Sequence, residues 1–133
     1  MNKIFTIIGF VLFAVLPATA NTTSTGNDTS LSNKWRIEVS EGAKSTGTMV
    51  FRITPKEQPA VEVRVDIEGG TRENKVAVRI RDAFRAQLPK KAFHIERDDG
   101  EDVLVKKRHK APRFALSLVS SNVKAVRIHI EKE

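Results

Sequence analysis

Two hydrophobic rhythms run through the chain from residue 34 onward. Trp35, Ile37 and Val39 alternate with Arg36, Glu38 and Ser40, the period of a strand buried on one face. After a turn over residues 41–47, Met49, Phe51 and Ile53 continue the alternation, so the pair reads as a hairpin. Pro55 ends that second strand because proline cannot donate to a ladder. Past the polar turn over residues 55–59, Val61, Val63, Val65 and Ile67 interleave with Glu62, Arg64, Asp66 and Glu68, the clearest period of two in the sequence.

The second rhythm occupies residues 71–88. Val76, Ile80, Ala83, Phe84 and Leu88 recur at steps of three and four with Ala77 beside them, so one arc of a helix is apolar. Lys75, Arg79, Arg81, Asp82 and Arg85 fill the rest of the circle. Thr71 reads as the N-cap after the Gly69-Gly70 break, Glu73 suits the positive end of the helix dipole, and Pro89 stops the helix. Alternation then resumes with Phe93 and Ile95 against His94 and Glu96, a turn at Asp98-Asp99-Gly100-Glu101, and a return through Val103 and Val105. Asp-Gly between alternating runs marks a hairpin, since the primed turns need positive φ. Phe114, Leu116 and Leu118 predict a sixth strand and Val126, Ile128 and Ile130 a seventh, with Ser120-Ser121-Asn122 turning between them.

The resulting order, β-β-β-α-β-β-β-β with short connections, predicts the α+β class. It implies a two-layer sandwich in which a mostly antiparallel sheet of six or seven strands is covered on one face by a single helix, the other face meeting water. Residues 34–133 form one domain. Ahead of it, residues 21–33 are small and polar apart from Leu31 and read as a flexible leader. Residues 1–20 carry Lys3, an apolar run over residues 4–16 and Ala18-Thr19-Ala20, the pattern of a cleavable signal peptide. That run of about 13 residues is short of the roughly 20 that span a bilayer, and no cysteine follows the cleavage site to carry a lipid. Cysteine is absent altogether, so the domain must hold by packing alone. These features predict a bacterial periplasmic or extracellular protein whose Asn21 and Asn27 sequons stay unmodified.

The whole chain carries a formal charge of +7, or +6 once residues 1–20 and their one Lys are removed. Cations concentrate in Lys106, Lys107, Arg108, Lys110 and Arg113, with Lys90 and Lys91 just past the helix. Such a patch suits phosphate, an anionic lipid surface or an acidic protein partner; the plainer reading is a solvated loop. Arg79, Arg81 and Arg85 with Asp82 on the polar arc of the helix either form a solvated face laced by three-residue ion pairs or dock an acidic partner. Nucleic acid is disfavoured: tyrosine is absent, the single Trp35 sits on a core face, and the basic loop has no aromatic ring to stack on bases.

Candidate chemistry thins out quickly. Asp98, Asp99, Glu101 and Asp102 lack the spacing of a calcium loop, and Asp-Gly is explained by the turn. His94 and His129 would share a face only if strands four and seven paired, and two imidazoles do not complete a zinc site. There is no thiol, no Gly-x-Ser-x-Gly elbow, and no base near Ser117, Ser120 or Ser121. The expectation is a chain without a cofactor or metal and without enzymatic activity.

Residues 61–105, with the strand VEVRVDI, a Gly-Gly break, a helix containing VAVRIRDAF and a hairpin turning at DDG, resemble in pattern the small insert modules of flagellar hook and filament proteins and of some phage tail proteins. Those modules usually carry Ala-Ile-Asn where this chain has Arg81-Asp82-Ala83-Phe84, and the coiled flanks of filament subunits are missing. The resemblance implies a surface or interaction module and brings no catalytic residues with it. Taken with the rest, it leads to the expectation of an exported binding module holding another protein, in the manner of an inhibitor or immunity protein. The alternative is a basic protein attached to anionic envelope polymers or lipid through Lys106 to Arg113.

Overall fold

The computed structural model describes residues 30–133; the export-type segment and residues 21–29 of the leader lie outside them. Seven strands and one helix follow in the expected order: β1 (Lys34–Ser40), β2 (Gly47–Pro55), β3 (Val61–Ile67), α1 (Glu73–Gln87), β4 (Phe93–Asp98), β5 (Asp102–Lys107), β6 (Phe114–Ser121) and β7 (Arg127–Lys132). The α+β class is as expected, but the strands do not form one sheet. They divide into a four-stranded sheet ordered β4-β5-β1-β7 and a three-stranded sheet ordered β3-β2-β6, with every pairing antiparallel.

The division corrects the hairpin expected between β1 and β2. Their linker is too long and too well anchored to be a tight turn: Ala43 is buried, its N–H donates to Thr71 O at 2.7 Å, and its O accepts from Gly70 N–H at 2.7 Å. The chain is thereby carried from one sheet to the other. A second corner, between β6 and β7, does the same, with Val123 buried and Asn122 Oδ1 accepting from Thr48 N–H at 2.7 Å. The corners are tied together by Lys44 N–H to Lys124 O at 3.0 Å and Lys124 N–H to Ser45 Oγ at 2.9 Å. β2 and β3 pair as consecutive antiparallel strands, and β4 and β5 close into the hairpin their Asp-Gly promised, with positive φ at both Asp99 (45°) and Gly100 (78°).

Strand alternation decides which side chains meet. Ile37 lies opposite Val103 on one side and Ile130 on the other; Phe51 lies between Val63 and Leu118, and Ile53 between Val61 and Leu116. The two inner faces share a single core, closed along one side by α1. Val76, Ala77, Ile80 and Phe84 of the helix are fully buried, and the Phe84 ring meets Phe51 edge to face at a centroid distance of 5.2 Å. A 15-residue helix is marginal by itself in water. Burying Val76, Ile80 and Phe84 contributes about 1.5–3 kcal/mol each, and this packing is what holds it.

The helix ends differ from the expected caps. Arg72 occupies the N-cap and its side chain caps nothing; Thr71 Oγ1 instead donates backwards to Glu68 O at 2.7 Å. Leu88 is the extended C-cap residue and remains buried. At the other end of the domain, order begins ahead of residue 34. Ser32 N–H donates to Phe114 O and accepts from Phe114 N–H through its own carbonyl, at 2.9 and 3.0 Å, so the last residues of the expected leader pair with the start of β6.

Candidate functional site

Three surfaces hold the side chains with chemical possibilities. The first is the outer face of the four-stranded sheet, where the alternation that buries Trp35 and Ile37 necessarily presents Arg36 and Glu38 outward. Arg36 is its hub. Its Nη1 lies 2.5 Å from Asp102 Oδ2 and 3.3 Å from Asp98 Oδ2, and its Nε donates to Glu133 Oε1. The bonds to Glu133 and Asp102 hold the guanidinium even more firmly protonated than usual, and Glu133 is pulled below the ordinary carboxylate range by Arg36 and then Lys34. One strand pair away, Lys106 Nζ donates to Glu96 Oε1 and His94 Nε2 lies 3.2 Å from Glu96 Oε2. Lys106, and after it His94, lowers the Glu96 pKa. Leu104 lies opposite Arg36 and Glu96 and is buried on what would otherwise be the solvent side. Long aliphatic stems covering apolar surface account for such a residue.

This network decides two sequence expectations. Asp98 and Asp102, half of the acidic cluster, face a guanidinium that satisfies them. His94 and His129 do not meet, because β4 and β7 are opposite edges of the sheet. A different group does assemble at the β7 edge: ligand atoms of Glu38, His129 and Glu131 lie within 4.8 Å of one another. Glu38 and His129 are a cross-strand pair, and His129 Nε2 sits 3.5 Å from Glu131 Oε2, so antiparallel register and an ion pair account for the group.

The second surface is a cavity of about 590 Å³ between the last turns of α1, strand β4 and the start of the β5–β6 loop. Phe84, Leu88, Phe93 and Ile95 supply its apolar lining, while Arg85, Lys90, His94 and Arg108 supply its polar one. The two arginines are pinned by backbone carbonyls. Arg85 donates from Nε and Nη2 to Ile95 O at 2.9 and 2.8 Å, and Arg108 donates from Nε to Lys90 O at 2.6 Å and Phe93 O at 3.2 Å. Of the cations singled out in the sequence, Arg85, Lys90 and Arg108 come together here. Lys106 does not line the cavity and turns to Glu96, whose other oxygen meets His94, and Arg81 binds Asp82 Oδ1 at 2.9 Å rather than a residue three positions away. Lys91, Lys107, Lys110 and Arg113 do not line the cavity. Lys110 sits in a turn with φ 71°, and the backbone at Lys107 and Arg113 is tied to Asn33 and Lys56.

The third surface has no counterpart in the sequence reading. Strands β6 and β7 each end a sheet, and between them opens a groove of about 710 Å³. Its apolar wall comes from Leu31, Trp35, Leu116, Leu118, Ile128 and Ile130, and its rim from Arg52, Lys56, Glu57 and Gln58. Trp35 is held by a 2.8 Å bond from Nε1 to Phe114 O, which fixes the floor. A register shift between Val50 and Phe51 bulges β6 and leaves Val119 exposed at 43%, the one large apolar side chain among the described residues to be so exposed. Sequence could have shown the apolar residues of β6 and β7 but not that their edges face each other without pairing to one another.

No protein-family model matches the chain, and neither does any curated protein sequence. The functional reading therefore rests on these three surfaces.

Proposed function

We propose that this chain is an exported, non-enzymatic binding module that holds another protein, in the manner of an inhibitor or immunity protein. The observation that carries the reading is the groove between β6 and β7. Two strand edges, free on the groove side apart from the Ser32 bridge at Phe114, border an apolar wall, the arrangement that accepts an extended segment of a partner as an added strand. Main-chain hydrogen bonds would supply affinity, and alternate side chains of the incoming segment would pack on Trp35, Leu118, Ile128 and Ile130. Edges left open in this way are otherwise a liability in a stable monomer. The formal charge of +6 without residues 1–20 favours a partner with acidic residues flanking the bound segment. Export is supported by the N-terminal pattern of Lys3, the apolar run and Ala18-Thr19-Ala20.

The test is affinity capture from envelope extracts with the wild type, Leu118→Lys and Ile128→Lys as parallel baits, each checked for native circular dichroism. The reading expects a saturable partner held by the wild type and lost from both variants, with amide protection appearing in β6 and β7. Equal recovery on all three baits, or protection confined to other strands, would reject it. A concentration-dependent homodimer that protects β6 and β7 would assign the groove to a second copy of the chain instead.

A further inference from the structure

The cavity beside α1 is separate from the β6–β7 groove and carries an inference of its own. We infer that it binds an amphiphilic anion, a phosphate or carboxylate head on an apolar body, with Arg85, Arg108 and Lys90 on the head and Leu88 and Phe93 on the body.

Four features of the cavity point to this ligand class. Its volume of about 590 Å³ falls in the range of small-molecule sites. Its charge is one-sided: three permanent cations and His94 line it against a single acid, Asp82, whose Oδ1 already accepts from Arg81. Its cations are preorganised. Arg85 and Arg108 spend Nε on backbone carbonyls, so each guanidinium plane is fixed before a ligand arrives. Arg85 Nη1 and both Nη groups of Arg108 have no hydrogen bond among the described residues and remain available to the two oxygens of a head group. Finally, the apolar lining is built from side chains of the core itself. Phe84 is fully buried, and Phe93 meets Phe114 edge to face at 5.1 Å, so the apolar part of the cavity is rigid. A purely inorganic anion would leave that lining unused, and a neutral apolar molecule would leave the guanidinium donors unpaired.

The head group can belong to a monomeric amphiphile or to a lipid in a bilayer, and the two sources separate experimentally. Dodecyl phosphate below its micellar concentration is titrated into the full mature chain by calorimetry and by heteronuclear NMR. Sedimentation with vesicles of phosphatidylglycerol and phosphatidylcholine, against pure phosphatidylcholine, forms the second arm. The expected result is saturable one-to-one binding of dodecyl phosphate, with the largest shifts at Leu88, Phe93 and Arg108. Arg108→Gln and Lys90→Gln should each weaken it roughly tenfold, the scale of a lost hydrogen bond to a charged group. Lys106→Gln, whose ammonium pairs with Glu96 outside the cavity, should leave it unchanged. Inorganic phosphate should bind far more weakly than dodecyl phosphate.

Monomer binding that survives both substitutions, or inorganic phosphate binding as tightly as the amphiphile, would overturn the inference. Vesicle binding that falls with Arg108→Gln would support it with a bilayer lipid as the source. Vesicle binding indifferent to Arg108 and Lys90 but sensitive to Lys106 would overturn it in favour of nonspecific adsorption. The outcome is independent of the β6–β7 groove, since none of these variants touches β6 or β7.

Discussion

Replacing Phe84 with Ala tests the packing on which every surface described above depends. Phe84 has no exposed surface, its ring stands at 72° to that of Phe51, and it packs beneath the residues of the cationic cavity. Truncating a buried Phe costs about 3–5 kcal/mol through lost transfer energy and the cavity left behind. A domain of this size has about 5–15 kcal/mol in total, so from about a fifth to nearly all of the stability is at stake. With a urea slope of about 2 kcal/mol per molar, the midpoint should fall by roughly 2 M. The assay is already in the protein: Trp35 is the single tryptophan, tyrosine is absent, and Trp35 is buried on the sheet that α1 contacts. Its fluorescence therefore reports global unfolding. A double-mutant cycle with Phe51→Leu and Phe84→Leu should recover about 0.5–1.5 kcal/mol of coupling for the edge-to-face pair. A cost below about 1 kcal/mol for Phe84→Ala, or zero coupling, would mean that α1 is not seated on the three-stranded sheet and would refute the fold.

Three further outcomes follow from named contacts. Arg36→Met leaves the buried carboxylate of Asp102 without its guanidinium and should cost about 1–3 kcal/mol in urea melts, while adding Asp102→Leu should return most of the loss. Glu96 and Glu133 are both depressed in the folded state, so their contribution is fully present above the unfolded carboxylate pKa of about 4.3 and is lost as pH falls through the folded values beneath it. Thermal midpoints should therefore drop below about pH 4, and Glu96→Gln should flatten that dependence. Gly100→Ala should cost about 1–2 kcal/mol by calorimetry, because φ of 78° is strained for an L side chain although a Cβ there meets no neighbour.

Much of the architecture was legible in the pattern of residues. Period-two runs located all seven strands, and the three- and four-residue spacing of Val76, Ile80 and Phe84 located the helix and its buried arc. Asp99-Gly100 specified the β4–β5 hairpin because its backbone demand is local. The candidate sites were legible only in part. Arg85, Lys90 and Arg108 stood out as cations, but their convergence was hidden because they come from the helix, the turn after it and the loop after β5. Thr71 misled as an N-cap because its hydroxyl has a competing acceptor in Glu68 O.

What the sequence determined by itself is the set of elements and which side of each faces inward, since both follow from backbone periodicity and the cost of leaving apolar surface in water. What only the tertiary structure decided is which strands are neighbours. Alternation is the same in β1 and β2 whether they pair with each other or lie in opposite sheets, and the choice was made by Ala43 and Asn122 binding backbone remote in sequence. That choice leaves β6 and β7 with open edges on one groove and gathers three scattered cations around one cavity.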